Sequence, residues 1–218
     1  MPVISLSSAK GGVGKTTLTT ALGAAWALRG EAVHVIDADP RGHASRHLGA
    51  FGLDHLTVET ATKATIVRQI SAARTTADVV LVDLPGAGED VLTFAVSRSN
   101  LVILPTGPSA MDITDATRTW EAVAAASEAL DRHIQAVFML TRVKHFRTSV
   151  ASHARAQLEG AGFPVLRSEL IERVAFQEMM FHNKPLAQIG GADGAAANVA
   201  AILAEIEDIL ASMAKAAA

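Results

Sequence analysis

The sequence predicts an α/β protein with a mostly parallel, twisted sheet and helices on both of its faces. Short apolar runs alternate along the whole chain with segments whose apolar residues recur at helical spacing. Strands that are apolar throughout must be covered on both sides, and helical connections between them favour parallel pairing. The chain has 218 residues, half of them apolar, so we expect one core and a single domain over residues 1–218.

The predicted strands are short apolar segments. Residues 3–6 open the chain as the first strand, and residues 56–59 are expected to form a short edge strand. The β-branched residues in segments 79–82 and 101–104 are typical of fully buried strands. The complete set of predicted strands is residues 3–6, 32–36, 56–59, 79–82, 101–104, 136–140 and 165–168.

The predicted helices are identified by their apolar stripes and end signals. The first helix follows the first strand and ends at Gly30, and Ser109 is a candidate cap for a helix that contains Trp120. Residues 66–73 and 148–158 are predicted as further helices, and residues 213–218 as a frayed tail. The last helix carries an apolar face of Val199, Ile202, Leu203, Ile206, Ile209, Leu210 and Met213.

The segment KGGVGKTT, residues 10–17, is the most informative part of the chain. A glycine-rich loop between a strand and a helix lets backbone N–H groups surround an anion, with the helix dipole behind them. The lysine of such a loop reaches the β- and γ-phosphates, and the following hydroxyl binds Mg²⁺. We therefore predict a P-loop NTPase that binds ATP and Mg²⁺ through Lys10, Gly11, Gly12, Val13, Gly14, Lys15, Thr16 and Thr17.

Two carboxylate motifs follow predicted strands, where ligands of parallel sheets bind. Asp37 and Asp39 lie in DADPRGHAS after the second strand, and Asp83 ends the apolar run VVLV. We predict that Asp39 and Asp83 hold Mg²⁺ together with Thr16. An aspartate at the end of a strand also commonly caps the next turn, and for Asp37 or Asp39 alone that alternative stays open.

These motifs together resemble the deviant Walker A ATPases of the ParA/MinD family, most closely the short, ParF-like type of ParA. Lys10 corresponds to the signature lysine of that family, and residues 37–45 and 85–88 are similar to its switch I and switch II. The sequence departs from the family pattern at Ala9 and at Arg41, where glutamine is usual in switch I. Residues 164–180 look like the segment that closes around adenine, and Arg142 occupies a position that often contacts the base.

The resemblance implies a slow ATPase that dimerises with ATP and is stimulated by a small centromere-binding or cargo adaptor protein. Lys15 would act in cis and Lys10 in trans on the γ-phosphate, while Asp39 would position the attacking water. Two ATP molecules would lie between the two subunits. The cargo is a plasmid by default, but carboxysomes, chemoreceptor clusters and conjugation machinery are moved by the same kind of ATPase.

Non-specific DNA is the expected track for such a cargo. The whole chain has a net charge of −3, so DNA binding would require a local patch. Residues 142–184 contain seven lysines and arginines against four acids, which makes this segment positive. Basic runs are also often merely solvated. The candidate contacts besides Arg142 are Lys144, Arg147, Arg155, Arg167, Arg173 and Lys184.

Two other functions were weighed against this one. A membrane switch like MinD needs a basic amphipathic helix, whereas the last helix carries Glu205, Glu207 and Asp208, so no membrane partner is expected. A metabolic P-loop enzyme would need a substrate pocket with specific groups, and none is recognisable. The chain has no cysteine, which excludes iron–sulfur reductases. The lack of an export signal and the need for ATP predict a cytoplasmic, nucleoid-associated protein.

Overall fold

The computed structural model describes residues 1–86, 89–146 and 149–216, and its centre is a seven-stranded parallel sheet. The order across the sheet is β3-β2-β4-β1-β5-β6-β7, and every adjacent pair is parallel. The prediction of a mostly parallel sheet is therefore confirmed. The strands are β1 Val3–Leu6, β2 Val33–Asp37, β3 Leu56–Thr60, β4 Val79–Asp83, β5 Leu101–Thr106, β6 Gln135–Val143 and β7 Leu170–Ile171.

Helices cover both faces of the sheet. Four of them, α1, α2, α7 and α8, contribute to one apolar layer, and α3 to α6 contribute to the other. The bounds are α1 Lys15–Leu28, α2 His43–Ala50, α3 Ile66–Ala73, α4 Glu89–Val96, α5 Ala110–Ala129, α6 Ser149–Gly160, α7 Val174–His182 and α8 Asp193–Ala216, with a short 3-10 helix at Leu186–Gln188. Among the described residues, none of the helices has the length and apolar character needed to cross a bilayer.

The predicted strand at residues 165–168 is wrong. Val165 forms only an isolated bridge with Phe138, and the seventh strand lies further on, at Leu170–Ile171. The cause is a side chain of α8: the Glu205 carboxylate accepts hydrogen bonds from the backbone N–H groups of Arg167 and Ser168, at 2.8 Å each. These N–H groups are therefore bound to a carboxylate and not to a neighbouring strand.

Three helices were not predicted, namely α2, α4 and α7. Helix α2 shows why: it has eight residues, buries only Ala44 and Leu48, and begins after Gly42 without a capping side chain. Such a segment has neither a long apolar stripe nor a start signal. The frayed tail is also wrong over its described part, because α8 continues to Ala216. The predicted cap on α5 is confirmed, since the Ser109 hydroxyl accepts a hydrogen bond from the N–H of Asp112.

Candidate nucleotide-binding site

The glycine-rich loop joins β1 to α1 at the carboxyl edge of the sheet. Its backbone is left-handed at Gly12 and Gly14, with φ angles of 75° and 92° that favour glycine. A Cβ at Gly11 or Gly12 would meet no atom within 4 Å, so both residues border open space. Helix α1 begins immediately after Gly14, and its unpaired N–H groups and positive dipole end lie at the loop. The loop thus has the form of an anion cradle.

A cavity of about 590 Å³ lies beside this loop, and its volume is in the range of small-molecule sites. Asp39, Pro40, Arg41 and His43 contribute to its wall from the segment after β2. Pro85 and Gly86 contribute from the segment after β4, whereas Ala87 and Gly88 of the predicted switch II lie outside the described residues. The predicted loop residues that line the cavity are Gly11, Gly12, Gly14, Lys15, Thr16 and Thr17.

Lys15 is buried in the wall of this cavity, with 7% of its surface exposed. Its ammonium donates long hydrogen bonds to the carbonyl oxygens of Ser8, at 3.4 Å, and Lys10, at 3.3 Å. Burial lowers the pKa of Lys15, while the charges of Asp83 and Asp39 oppose that effect. An ammonium held by two weak carbonyl contacts can exchange them for phosphate oxygens with little loss.

Asp83 is fully buried beside the first turn of α1. Its carboxylate accepts hydrogen bonds from the hydroxyl groups of Thr16, at 2.9 Å, and Thr19, at 3.3 Å. Burial raises the pKa of Asp83 to about 7; the Thr16 bond and Lys15 oppose the rise, and the neighbouring Asp37 adds to it. A carboxylate with so high a pKa gains from a nearby cation.

The two aspartates after β2 differ in what they do. Asp37 is fully buried, and its carboxylate accepts hydrogen bonds from the N–H groups of Asp39, at 3.1 Å, and Ser45, at 2.8 Å. It therefore has the turn-capping part that the sequence left open. Asp39 lines the cavity and accepts one hydrogen bond, at 2.9 Å, from the N–H of Arg41. One carboxylate stabilises the turn and the other faces the cavity.

The available donor atoms suit Mg²⁺. The Thr16 hydroxyl and the Asp83 carboxylate are already in contact, and Asp39 lines the same cavity, so the candidate ligands are all oxygens. Oxygen ligands are those that Mg²⁺ prefers, and Mg²⁺ retains several waters that a cavity of this size can hold. The buried, high-pKa carboxylate is the observation that fits a cation here.

Lys10 does not line the cavity but pairs with a residue of α5. Its ammonium lies 2.5 Å from a carboxylate oxygen of Asp112, which also accepts a hydrogen bond from the Ser109 hydroxyl at 2.6 Å. Burial alone would raise the pKa of Asp112, but the bonds from Lys10 and Ser109 outweigh it and the pKa is lowered. The sequence gave no part to Asp112, although serine followed three residues later by an acid is a capping signal.

Strand β6 supports the loop from the other side. The Thr141 hydroxyl donates hydrogen bonds to the carbonyl oxygens of Val13, at 2.7 Å, and Thr106, at 3.1 Å. Arg142 follows in a left-handed conformation, with a φ of 56°, and its side chain is exposed. It is not among the residues that line the cavity, and its contact with the base stays a prediction.

The histidines of α2 were expected to be a solvated pair, and this is wrong for His47. Its Nδ1 lies 2.7 Å from the side-chain oxygen of Asn183, which joins α2 to the end of α7. His43 is exposed and lines the cavity.

The predicted DNA contacts have different surroundings. Arg155 pairs with Glu169 at 2.8 Å, and Arg167 contacts Glu205 at 3.4 Å. Arg173 is half-buried near His145, and Arg147 lies outside the described residues. Within the described ranges, the exposed members without an acidic partner are Lys144 and Lys184. Arg155 and Arg167 already share their charge with acids.

Known proteins resemble this chain over most of its length. A family model described as the CobQ/CobB/MinD/ParA nucleotide binding domain matches residues 4–186. Protein ParA of Rhizobium radiobacter is 30% identical over 182 residues, which are 82% of each chain.

Solved structures show the same fold at low identity. A Cyanothece McdA(D38A)–ATP complex has a TM-score of 0.82 at 14% identity, over 95% of this chain and 96% of that one. The septum site-determining protein MinD of Pyrococcus horikoshii OT3, complexed with Mg-ADP, has a TM-score of 0.77 at 18% identity, over 97% and 98%.

Proposed function

Because this chain belongs to the CobQ/CobB/MinD/ParA nucleotide-binding family, we propose that it is a ParA-type ATPase that binds ATP with Mg²⁺ and dimerises. Its hydrolysis of ATP to ADP and phosphate is slow and is stimulated by a partner. The dimer positions DNA or another large cargo. The relatives known as complexes hold ATP or Mg-ADP, which supports the choice of nucleotide.

The observation that carries the proposal is the meeting of three groups at one cavity. The glycine loop and α1 offer backbone N–H groups, Lys15 offers a buried ammonium, and Thr16 with Asp83 and Asp39 offers oxygens for a metal. A triphosphate with Mg²⁺ matches this combination of donors better than any uncharged ligand does.

The chemistry then follows from charge. Lys15 neutralises negative charge on the β- and γ-phosphates in its own subunit, and bound Mg²⁺ supplies further charge stabilisation there. Asp39, beside the cavity, orients the attacking water; a carboxylate is a weak base for water, so positioning is its main contribution. Thr17 and the backbone of Val13 complete the phosphate contacts. Arg142 contacts the base.

Lys10 acts on the nucleotide of the partner subunit. Its ammonium is directed towards Asp112 and away from its own cavity, and 34% of its side chain is exposed. In the dimer, Lys10 exchanges Asp112 for the γ-phosphate across the interface. For comparison, an arginine supplied in trans contributes on the order of 10³–10⁵ in rate.

The test of the dimer is Lys10→Ala, sized by light scattering with ATP and Mg²⁺. We expect the variant to bind nucleotide like the wild type but to remain monomeric, because it retains every cavity residue and loses only the ammonium. The control is Lys215→Ala, which changes an exposed lysine near the end of α8. A Lys10→Ala dimer equal to that of the control would remove Lys10 from this role.

The track is non-specific DNA, bound by the ATP dimer through Lys144 and Lys184, with Arg173 and Arg147 nearby in sequence. Doubling the exposed cations in a dimer makes binding depend on ATP, and phosphate contacts make it depend on salt. A small centromere-binding or cargo adaptor protein supplies the identity of the cargo and accelerates hydrolysis.

A membrane-associated switch is the weaker alternative. The apolar residues of α8, Val199, Ile202, Leu203 and Ile206, are buried in the core layer that includes α1. Glu205 of the same helix is engaged with the backbone at residues 167 and 168. This helix would have to leave the core before it could lie on lipid.

A further inference from the structure

The segment after β2 places an arginine at the wall of the cavity with no acid to bind. The side chain of Arg41 lines the cavity and is exposed. Within residues 1–86, 89–146 and 149–216 its guanidinium has no carboxylate partner and no side-chain hydrogen bond. Surface arginines often pair with nearby acids, as Arg155 does with Glu169.

The backbone that carries Arg41 is nevertheless fixed. The N–H of Arg41 donates to the Asp39 carboxylate at 2.9 Å, and the N–H of Gly42 donates to the Asp39 carbonyl at 2.9 Å. Pro40 occupies the second position of this turn, where its fixed φ is favourable, and Gly42 is left-handed with a φ of 60°. A free guanidinium thus projects from a rigid turn, which limits the entropy lost when it binds a ligand.

The other cations of the region are already opposed by carboxylates. Lys15 lies under the influence of Asp83 and Asp39, and Lys10 is paired with Asp112. A triphosphate would add about four negative charges to this site, of which Mg²⁺ offsets two. Arg41 is the cavity-lining cation, among the described residues, whose charge is still available for the remainder.

Position decides which phosphate Arg41 would meet. A P-loop lysine reaches the β- and γ-phosphates, and Asp39 is close enough to Lys15 to affect its pKa. Arg41 is hydrogen-bonded to Asp39 and therefore lies at the same end of the cavity. A guanidinium presents several N–H donors in a planar fork that matches the oxygens of a phosphate group.

We propose that Arg41 binds the γ-phosphate of ATP in its own subunit and makes the site bind ATP more tightly than ADP. This inference rests on the proposed nucleotide site. It assigns the discrimination between the two nucleotides to a residue that no part of the glycine loop contains.

The test compares the affinities of Arg41→Gln for a non-hydrolysable ATP analogue and for ADP, both with Mg²⁺, by titration calorimetry. Loss of a charged hydrogen bond predicts roughly 10- to 100-fold weaker binding of the analogue, with ADP changed by less than about twofold. Arg41→Lys should be intermediate, because a lysine provides one point charge. The control is Arg68→Gln on α3, an exposed arginine that does not line the cavity.

A second arm separates a phosphate contact from an effect on dimerisation. In a Lys10→Ala background, which should stay monomeric, the loss caused by Arg41→Gln should persist. If the loss disappears there, or if both nucleotides weaken equally, the inference is overturned. If the wild-type protein binds neither nucleotide, the proposed function itself fails; if it binds both and only the Arg41 variants behave normally, this inference alone fails.

Discussion

The buried carboxyl group of Asp83 makes the free energy of unfolding depend on pH, and Asp83→Asn should remove that dependence. The native pKa is about 7, raised by burial from an ordinary value of 3.8. Between these values the folded protein holds a proton that the unfolded chain has released. The free energy of unfolding therefore falls as the pH rises through this window, and above pH 7 the loss is complete.

The magnitude follows from the same shift. Each pH unit within the window removes about 1.4 kcal/mol, so the step from pH 5 to pH 8 crosses about two units and removes about 3 kcal/mol. The introduced carboxamide cannot ionise, and it has nearly the same shape. Because the hydroxyl groups of Thr16 and Thr19 can donate or accept, both can still bond to it.

Urea unfolding at pH 5 and pH 8, without nucleotide or Mg²⁺, measures the effect. The difference between variant and wild type at pH 8, minus that difference at pH 5, should be about 3 kcal/mol in favour of the variant. All other titrating groups cancel in this comparison. Asp54→Asn, at an exposed aspartate, is the control and should give a value near zero. A value for Asp83→Asn as small as that of the control would refute the reasoning.

Two further changes test other parts of the argument. In Glu205→Gln, one backbone N–H at residues 167–168 loses its acceptor, so urea unfolding at pH 7 should show a loss of about 1–3 kcal/mol, whereas Asp208→Asn on the exposed side of α8 should show none. In Lys144→Ala with Lys184→Ala, retention on DNA with ATP should weaken and its dependence on the logarithm of salt concentration should fall by about two, one for each phosphate contact; unchanged retention would exclude both lysines.

The pair between Lys10 and Asp112 connects the loop to α5 in the monomer. In the proposed dimer this ion pair is broken before Lys10 reaches the partner's nucleotide. The pair is partly exposed, and such pairs contribute at most about 1 kcal/mol. Bound nucleotide could outweigh so small a preference, which is consistent with a dimer that forms only when ATP is present.

Sequence patterns were sufficient where the interactions are local or repeated. Apolar runs marked six of the seven strands, and glycine spacing marked the loop whose left-handed residues are Gly12 and Gly14. They were insufficient where a distant side chain decided the outcome. Residues 165–168 are as apolar as an edge strand, but Glu205, about 40 positions later, binds their backbone.

The chain's own residues determined the parallel sheet and the phosphate loop, because burial of apolar strands and the backbone freedom of glycine are encoded position by position. The tertiary structure decided which charges are free. Asp37 is committed to backbone N–H groups, Lys10 to Asp112 and Arg155 to Glu169, whereas Arg41 retains its charge for a ligand. Charge pairing depends on distances between residues far apart in the chain, and only the packed sheet and helices set those distances.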